Sequence, residues 1–125
     1  MPEPRLTMYQ KPTCSTCKQV MMILKDSGVE FDAIDYIIDP IGLPKLRDLV
    51  RKLGVGPREL VRTREKAWDD LGPARDHMSD EQILHVLADH PELLQRPILE
   101  LGERAVLARP AERAREILGT APNPG

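Results

Sequence analysis

Cys14 and Cys17 are the two cysteines of this chain, and they stand as C-x-x-C in the stretch Tyr9-Gln10-Lys11-Pro12-Thr13-Cys14-Ser15-Thr16-Cys17. All of its thiol chemistry is therefore in one place. If a helix opens at Cys14, unpaired backbone N–H groups and the helix dipole favour an anion there. Such placement lowers a thiol pKa from ~8.5 into the range ~3.5–7.5 and produces thiolate, the nucleophilic form. Cys17, one turn further along, shares the same helix face and lies within reach of Cys14. The spacing favours redox or nucleophilic chemistry, with Cys14 as nucleophile and Cys17 as resolving thiol. A zinc half-site and an inert buried pair are the alternatives. Zinc needs two further ligands, and the remaining candidates are His77, His85 and His90. His85 and His90 are five apart, which places them about 140° apart around a helix, so they do not converge. No metal ligand set is expected.

The elements around the cysteines can be read from periodicity. Upstream, Leu6 and Met8 alternate with Arg5 and Thr7, as in a half-buried strand. Downstream, Cys17, Val20, Met21 and Leu24 recur at helical spacing, and Gly28 stands where a glycine stops a helix. Phe31 to Ile38 is rich in β-formers and predicts a second strand, parallel to the first through the helical crossover.

After Asp39-Pro40 the pattern becomes helical. Leu43, Leu46, Leu49, Val50 and Leu53 form a stripe that Gly54 ends. Two short helices are expected over Pro57–Val61 and Arg64–Leu71, with a break at Gly72-Pro73. Ser79-Asp80-Glu81-Gln82 is a capping box that opens a helix closing near Pro91. Pro97 to Glu100, a turn at Gly102, and Ala105 to Leu107 predict a hairpin. Pro110 at a first helical position then starts a last helix, with Ala114, Ile117 and Leu118 inward and Gly119 at its end. The order is β-α-β, a helical insertion over about 43–90, then β-β-α. It implies an α/β fold with a mixed four-stranded sheet, one domain over 1–119, and a disordered tail at 120–125.

Composition narrows the function classes. Hydrophobic residues make 41% and charged residues 30%, as in a soluble globular chain, and aromatics at 3% leave an aliphatic, methionine-filled core. Trp68 and the pair Met21-Met22 lie on helical stripes and are expected to pack in it. A net charge of −2 gives no general electrostatic attraction to nucleic acid or membrane, so any anion site must be local. No apolar run approaches a membrane span, and Met1-Pro-Glu-Pro-Arg5 does not read as a signal peptide. Two cysteines without a disulfide framework point to a reducing, cytoplasmic setting. No Gly-rich phosphate loop supports nucleotide chemistry.

A C-x-x-C between a strand and a helix resembles the redox motif of the thioredoxin superfamily. Further along, three arginines stand in distinctive contexts: Arg62 in Leu60-Val61-Arg62-Thr63, Arg96 before Pro97, and Arg109 before Pro110. Together with His90-Pro91, Leu93-Leu94-Gln95-Arg96-Pro97-Ile98 and Ala108-Arg109-Pro110, the sequence resembles the glutaredoxin-linked arsenate reductases from Leu6 to Leu118. That resemblance implies a thioredoxin-like fold in which Cys14 attacks arsenate and Arg62, Arg96 and Arg109 hold the oxyanion. It also implies a cis proline at Pro97 facing the cysteine. No bound cofactor is implied; glutathione, glutaredoxin or thioredoxin would supply the electrons. The residue types suit the task, because planar guanidinium forks bind tetrahedral oxyanions in bidentate fashion and stabilise a neighbouring thiolate.

Two positions depart from the pattern. Those reductases carry histidine where Gln10 stands, so Lys11 is the candidate for supporting the thiolate. They carry serine where Cys17 stands, and a C-x-x-C resembles instead the Spx-type regulators of RNA polymerase. These share the Thr63-Arg64, His90-Pro91 and Arg96-Pro97-Ile98 contexts but lack Arg109-Pro110. The expectation is arsenate reduction, with a redox-switched polymerase-binding regulator or a general glutaredoxin-like disulfide reductase as alternatives. No direct nucleic-acid or membrane partner is expected.

Overall fold

The computed structural model describes residues 5–118. The chain divides into two compact units, the run Ile37–Gln95 and the remainder. The inserted unit is therefore wider at both ends than the helical run over about 43–90, and the tail at 120–125 lies outside the described residues.

In the first unit, β1 (Leu6–Gln10), β2 (Phe31–Asp35), β3 (Ile98–Leu101) and β4 (Arg104–Leu107) form a four-stranded sheet in the order β2-β1-β3-β4. β1 and β2 are parallel from Leu6↔Phe31 to Gln10↔Asp35, and the helix α1 (Ser15–Ser27) makes the crossover that parallel pairing requires. β3 pairs antiparallel with β1 through Met8↔Leu99, and β4 pairs antiparallel with β3. This is the mixed α/β sheet of a thioredoxin-like fold. Leu6 and Met8, alternate residues of β1, share a core with Leu99 of β3, Val106 of β4, and Cys17, Val20 and Leu24 of α1. Ala114 and Ile117 of α5 (Ala114–Leu118) join the same core. Each fully buried aliphatic there contributes ~1.5–3 kcal/mol. Met21 packs at its margin, but Met22 is exposed, because the stripe that faces the sheet passes through Cys17, Val20 and Leu24.

Several expected boundaries differ. β2 ends at Asp35 rather than Ile38, because Gln10↔Asp35 is the last pair its partner strand offers. Tyr36 then turns inward, and Ile37 and Ile38 are exposed. Pro110 is not a first helical residue. It keeps an extended backbone ahead of a 3-10 turn, Ala111–Arg113, which leads into α5. Gly72-Pro73 does not simply interrupt: a glycine at φ 67° starts a 3-10 helix, Gly72–His77, whose second residue is the proline.

In the inserted unit, α2 (Leu43–Leu53) ends at Gly54, whose positive φ of 70° favours glycine. A 3-10 turn, Pro57–Leu60, follows, and then α3 (Lys66–Asp69) with Trp68 buried. These are shorter than the helices expected at Pro57–Val61 and Arg64–Leu71. α4 (Asp80–Asp89) lies against α2, which buries Leu46 and Leu49 while α4 buries Ile83, Leu84 and Leu87. An isolated bridge, Val61↔Leu94, ties the ends of this unit's second half, with Arg62 N–H donating to the Leu93 carbonyl at 2.6 Å.

Candidate active site

The site is built from the carboxyl end of β1 outward. Lys11 follows β1, and its carbonyl accepts from Cys14 N–H at 2.9 Å, closing the turn that delivers Cys14 to the N-cap of α1. Cys14 Sγ accepts the backbone N–H of Cys17 at 3.4 Å, as an N-cap side chain does. Cys14 is half-buried; Cys17 is buried in the core. The two cysteines approach within 3.3 Å.

These surroundings move the two thiols in opposite directions. Burial pushes Cys14 up, but hydrogen bonds from the Cys17 backbone and side chain, the Arg96 guanidinium and the Thr16 backbone together favour the thiolate, and its pKa lies below the ordinary value. Burial pushes Cys17 up to about 12; a hydrogen bond with the Lys11 backbone opposes this, and the neighbouring Cys14 adds to it. Cys14 thus has the environment of a nucleophile and Cys17 that of a protonated donor beside it. The charge that supports the thiolate comes from Arg96, and the Lys11 ammonium is not among the main influences on Cys14. Lys11 acts here through its backbone.

Arg96 stands two residues before β3 and is only 5% exposed. Its guanidinium donates from Nη1 to Tyr36 Oη at 3.3 Å and also hydrogen-bonds Cys14. The Arg96–Pro97 peptide is cis, as is Arg109–Pro110. Arg109, half-buried, donates from Nη1 to the Arg96 carbonyl at 2.9 Å, so one arginine holds the backbone of the other. Cys14, Cys17, Arg96, Pro97 and Arg109 all belong to the sheet unit, whereas Arg62 belongs to the inserted unit. There Arg62 is half-buried and its Nε donates to Glu65 at 3.2 Å. Sequence reasoning passed over Tyr36, which reads as one more β-former in Phe31–Ile38. Its signal was rarity, since aromatics are 3% of the chain. Among the described residues no cluster of three His, Cys, Asp or Glu side chains could hold a metal ion.

The arrangement offers a stabilised thiolate, a second thiol against it, and the Arg96 guanidinium hydrogen-bonded to the first: equipment for attack on a centre that carries negative oxygens. Comparison with known proteins agrees with this chemistry. The chain is 34% identical over 116 residues to the uncharacterized protein YfgD of Escherichia coli strain K12, covering 92% of this chain and 98% of that protein. It is 33% identical over 115 residues to the arsenate reductase of the same strain, covering 90% of this chain and 80% of the relative. Among solved structures, the arsenate reductase from Vibrio cholerae superposes with a TM-score of 0.86 at 26% identity, over 93% of this chain and 99% of that one. The model of the ArsC family matches residues 9–117, from the end of β1 to the last helix, and the chain belongs to that family.

Proposed function

We propose that this protein reduces arsenate, or a closely similar tetrahedral oxyanion, through a Cys14 adduct. The observation that carries the reading is the Arg96 guanidinium hydrogen-bonded to a Cys14 sulfur that caps α1. Helix N-termini bind anions through their free N–H groups, so thiolate and oxyanion are both stabilised there. The oxyanion would be held by Arg96 and Arg109, with Arg62 as the third arginine.

Cys14 thiolate attacks arsenic, forming an S–As bond, and an oxygen leaves as water. A second thiol then attacks the Cys14 sulfur. The S–S bond forms, the S–As bond breaks, and its electron pair stays on arsenic, which falls from As(V) to As(III) and departs as arsenite. Two thiols lose two electrons in exchange. Cys17 stands next to Cys14 and would be the internal second thiol; glutathione is the external one. Thioredoxin, or glutathione with glutaredoxin, would then restore the thiols.

The test is arsenite production by purified protein with each reducing system. Cys14→Ser should abolish it. Arg96→Ala should lower kcat/KM by about 10²-fold, with kcat affected as well as KM, because the guanidinium faces charge that develops in the transition state. Full activity in Arg96→Ala would remove the oxyanion site. No arsenite from wild type with any reductant, together with capture of purified RNA polymerase, would replace the reading with that of a C-x-x-C redox regulator. Reduction of glutathione mixed disulfides alone would make the protein a general disulfide reductase.

A further inference from the structure

Tyr36 is the first residue after β2, and its backbone N–H donates to the Gln10 carbonyl at 3.2 Å, one step beyond the last strand pair. That bond fixes Tyr36 to the end of β1, beside the turn that carries Cys14. Its side chain is 1% exposed. A buried phenol keeps a hydrogen-bond partner, and a buried guanidinium is costly unless its position is held by acceptors. Here the two meet, Arg96 Nη1 donating to Tyr36 Oη at 3.3 Å. Arg96 is also restrained from its backbone, through Arg109 Nη1 on its carbonyl at 2.9 Å. The guanidinium thus hydrogen-bonds both a phenol and a thiol.

We propose that Tyr36 is a positioning residue of this site: its phenolic oxygen, anchored at the end of β1, fixes where the Arg96 guanidinium stands beside Cys14. Tyr36 acts through Arg96. Without the hydroxyl, Arg96 keeps its charge but loses the acceptor that selects one placement of the fork. The fork would then spend less time on Cys14, and an oxyanion above the cysteine would meet a less ordered donor.

The first experiment needs no substrate. The alkylation rate of Cys14 by iodoacetamide is followed against pH in wild type, Tyr36→Phe, Arg96→Lys and the double variant, with thermal unfolding measured alongside. Tyr36→Phe should move the Cys14 midpoint to higher pH and lower the rate near pH 7 by roughly three- to tenfold, as expected for a weakened hydrogen bond to a charged group. In the Arg96→Lys background, where the fork is absent, the same change should have no further effect. A Tyr36→Phe profile that overlays wild type overturns the proposal, as does an equal shift in both backgrounds. If Tyr36→Phe does not fold, Tyr36→Met is read in the same cycle. A lowered melting temperature with an unmoved midpoint means packing only and likewise overturns it.

A second arm rests on the oxyanion reading: Tyr36→Phe should raise KM for arsenate more than it lowers kcat, whereas Arg96→Lys affects both. If wild type makes no arsenite, the oxyanion reading fails, while the alkylation cycle still decides the role of Tyr36.

Discussion

A thiol at a helix N-cap and a thiol three residues into the core meet different surroundings, and Cys14 and Cys17 titrate accordingly. Cys14 is drawn below its ordinary value by the groups aimed at it despite its burial. Cys17 is raised to about 12 by burial, against an ordinary value of 9.0. At pH 7 iodoacetamide should therefore label native protein at Cys14, and Cys17 only after unfolding, which peptide mass mapping would show. The same shift has a consequence for stability. Between pH 9 and about 12 the unfolded chain has released the Cys17 proton that the native chain still holds. Unfolding thus becomes easier as pH rises through that window. Cys17→Ala should flatten the decline, measured by urea unfolding at pH 8 to 11. An identical slope in wild type and variant would mean that the native thiol is not protected as described. At this scale the sequence was informative about the cysteines, because three residues along a helix is a local relation. For the cation that serves Cys14 it pointed to Lys11, near in sequence, whereas the fold brings the Arg96 guanidinium.

Element boundaries were legible where the controlling interaction is local and obscure where it is not. Gly28 and Gly54 stop α1 and α2 through their own positive φ, and the capping box of α4 closes within four residues. Ser79 Oγ accepts Gln82 N–H at 3.2 Å, and Gln82 Oε1 accepts Ser79 N–H at 2.8 Å. Ser79→Ala should cost about 1 kcal/mol in denaturant unfolding, while Gly in its place should cost only a few tenths. Equal losses for both variants would show that the cap is not the source. β2, by contrast, is terminated by the length of β1, a fact absent from its own residues. Phe31 to Ile38 continues to look like a strand where the sheet has no partner left to give. The start of the last helix was misplaced for a related reason, since Pro110 suits a first helical position by type yet ends an extended segment here.

Across the whole molecule, the sheet unit is assembled from two stretches of sequence separated by the run Ile37–Gln95. β1 pairs with β3 through Thr7↔Glu100 and Met8↔Leu99, so the cysteines and Arg96 meet only once the sheet has formed. No spacing rule in the sequence announces that meeting; the resemblance of the arginine contexts did. Arg62 lies in the inserted unit, and Arg62→Ala in the arsenite assay tests its part in the reaction. The chain leaves the sheet unit at Tyr36 and returns at Arg96, and these two side chains are hydrogen-bonded at 3.3 Å. Seen as polymer topology, the intervening run is a loop whose two ends are already clasped. The entropy of closing such a loop grows only with the logarithm of its length, and doubling it costs ~0.6 kcal/mol. The groups that tune Cys14, namely Cys17, Arg96 and Thr16, all lie outside that loop. Ten Gly/Ser residues inserted between Asp39 and Pro40, both exposed, should therefore leave the Cys14 alkylation profile where it is in wild type. The length of the connection is thus free to change while the thiol chemistry at its root stays fixed.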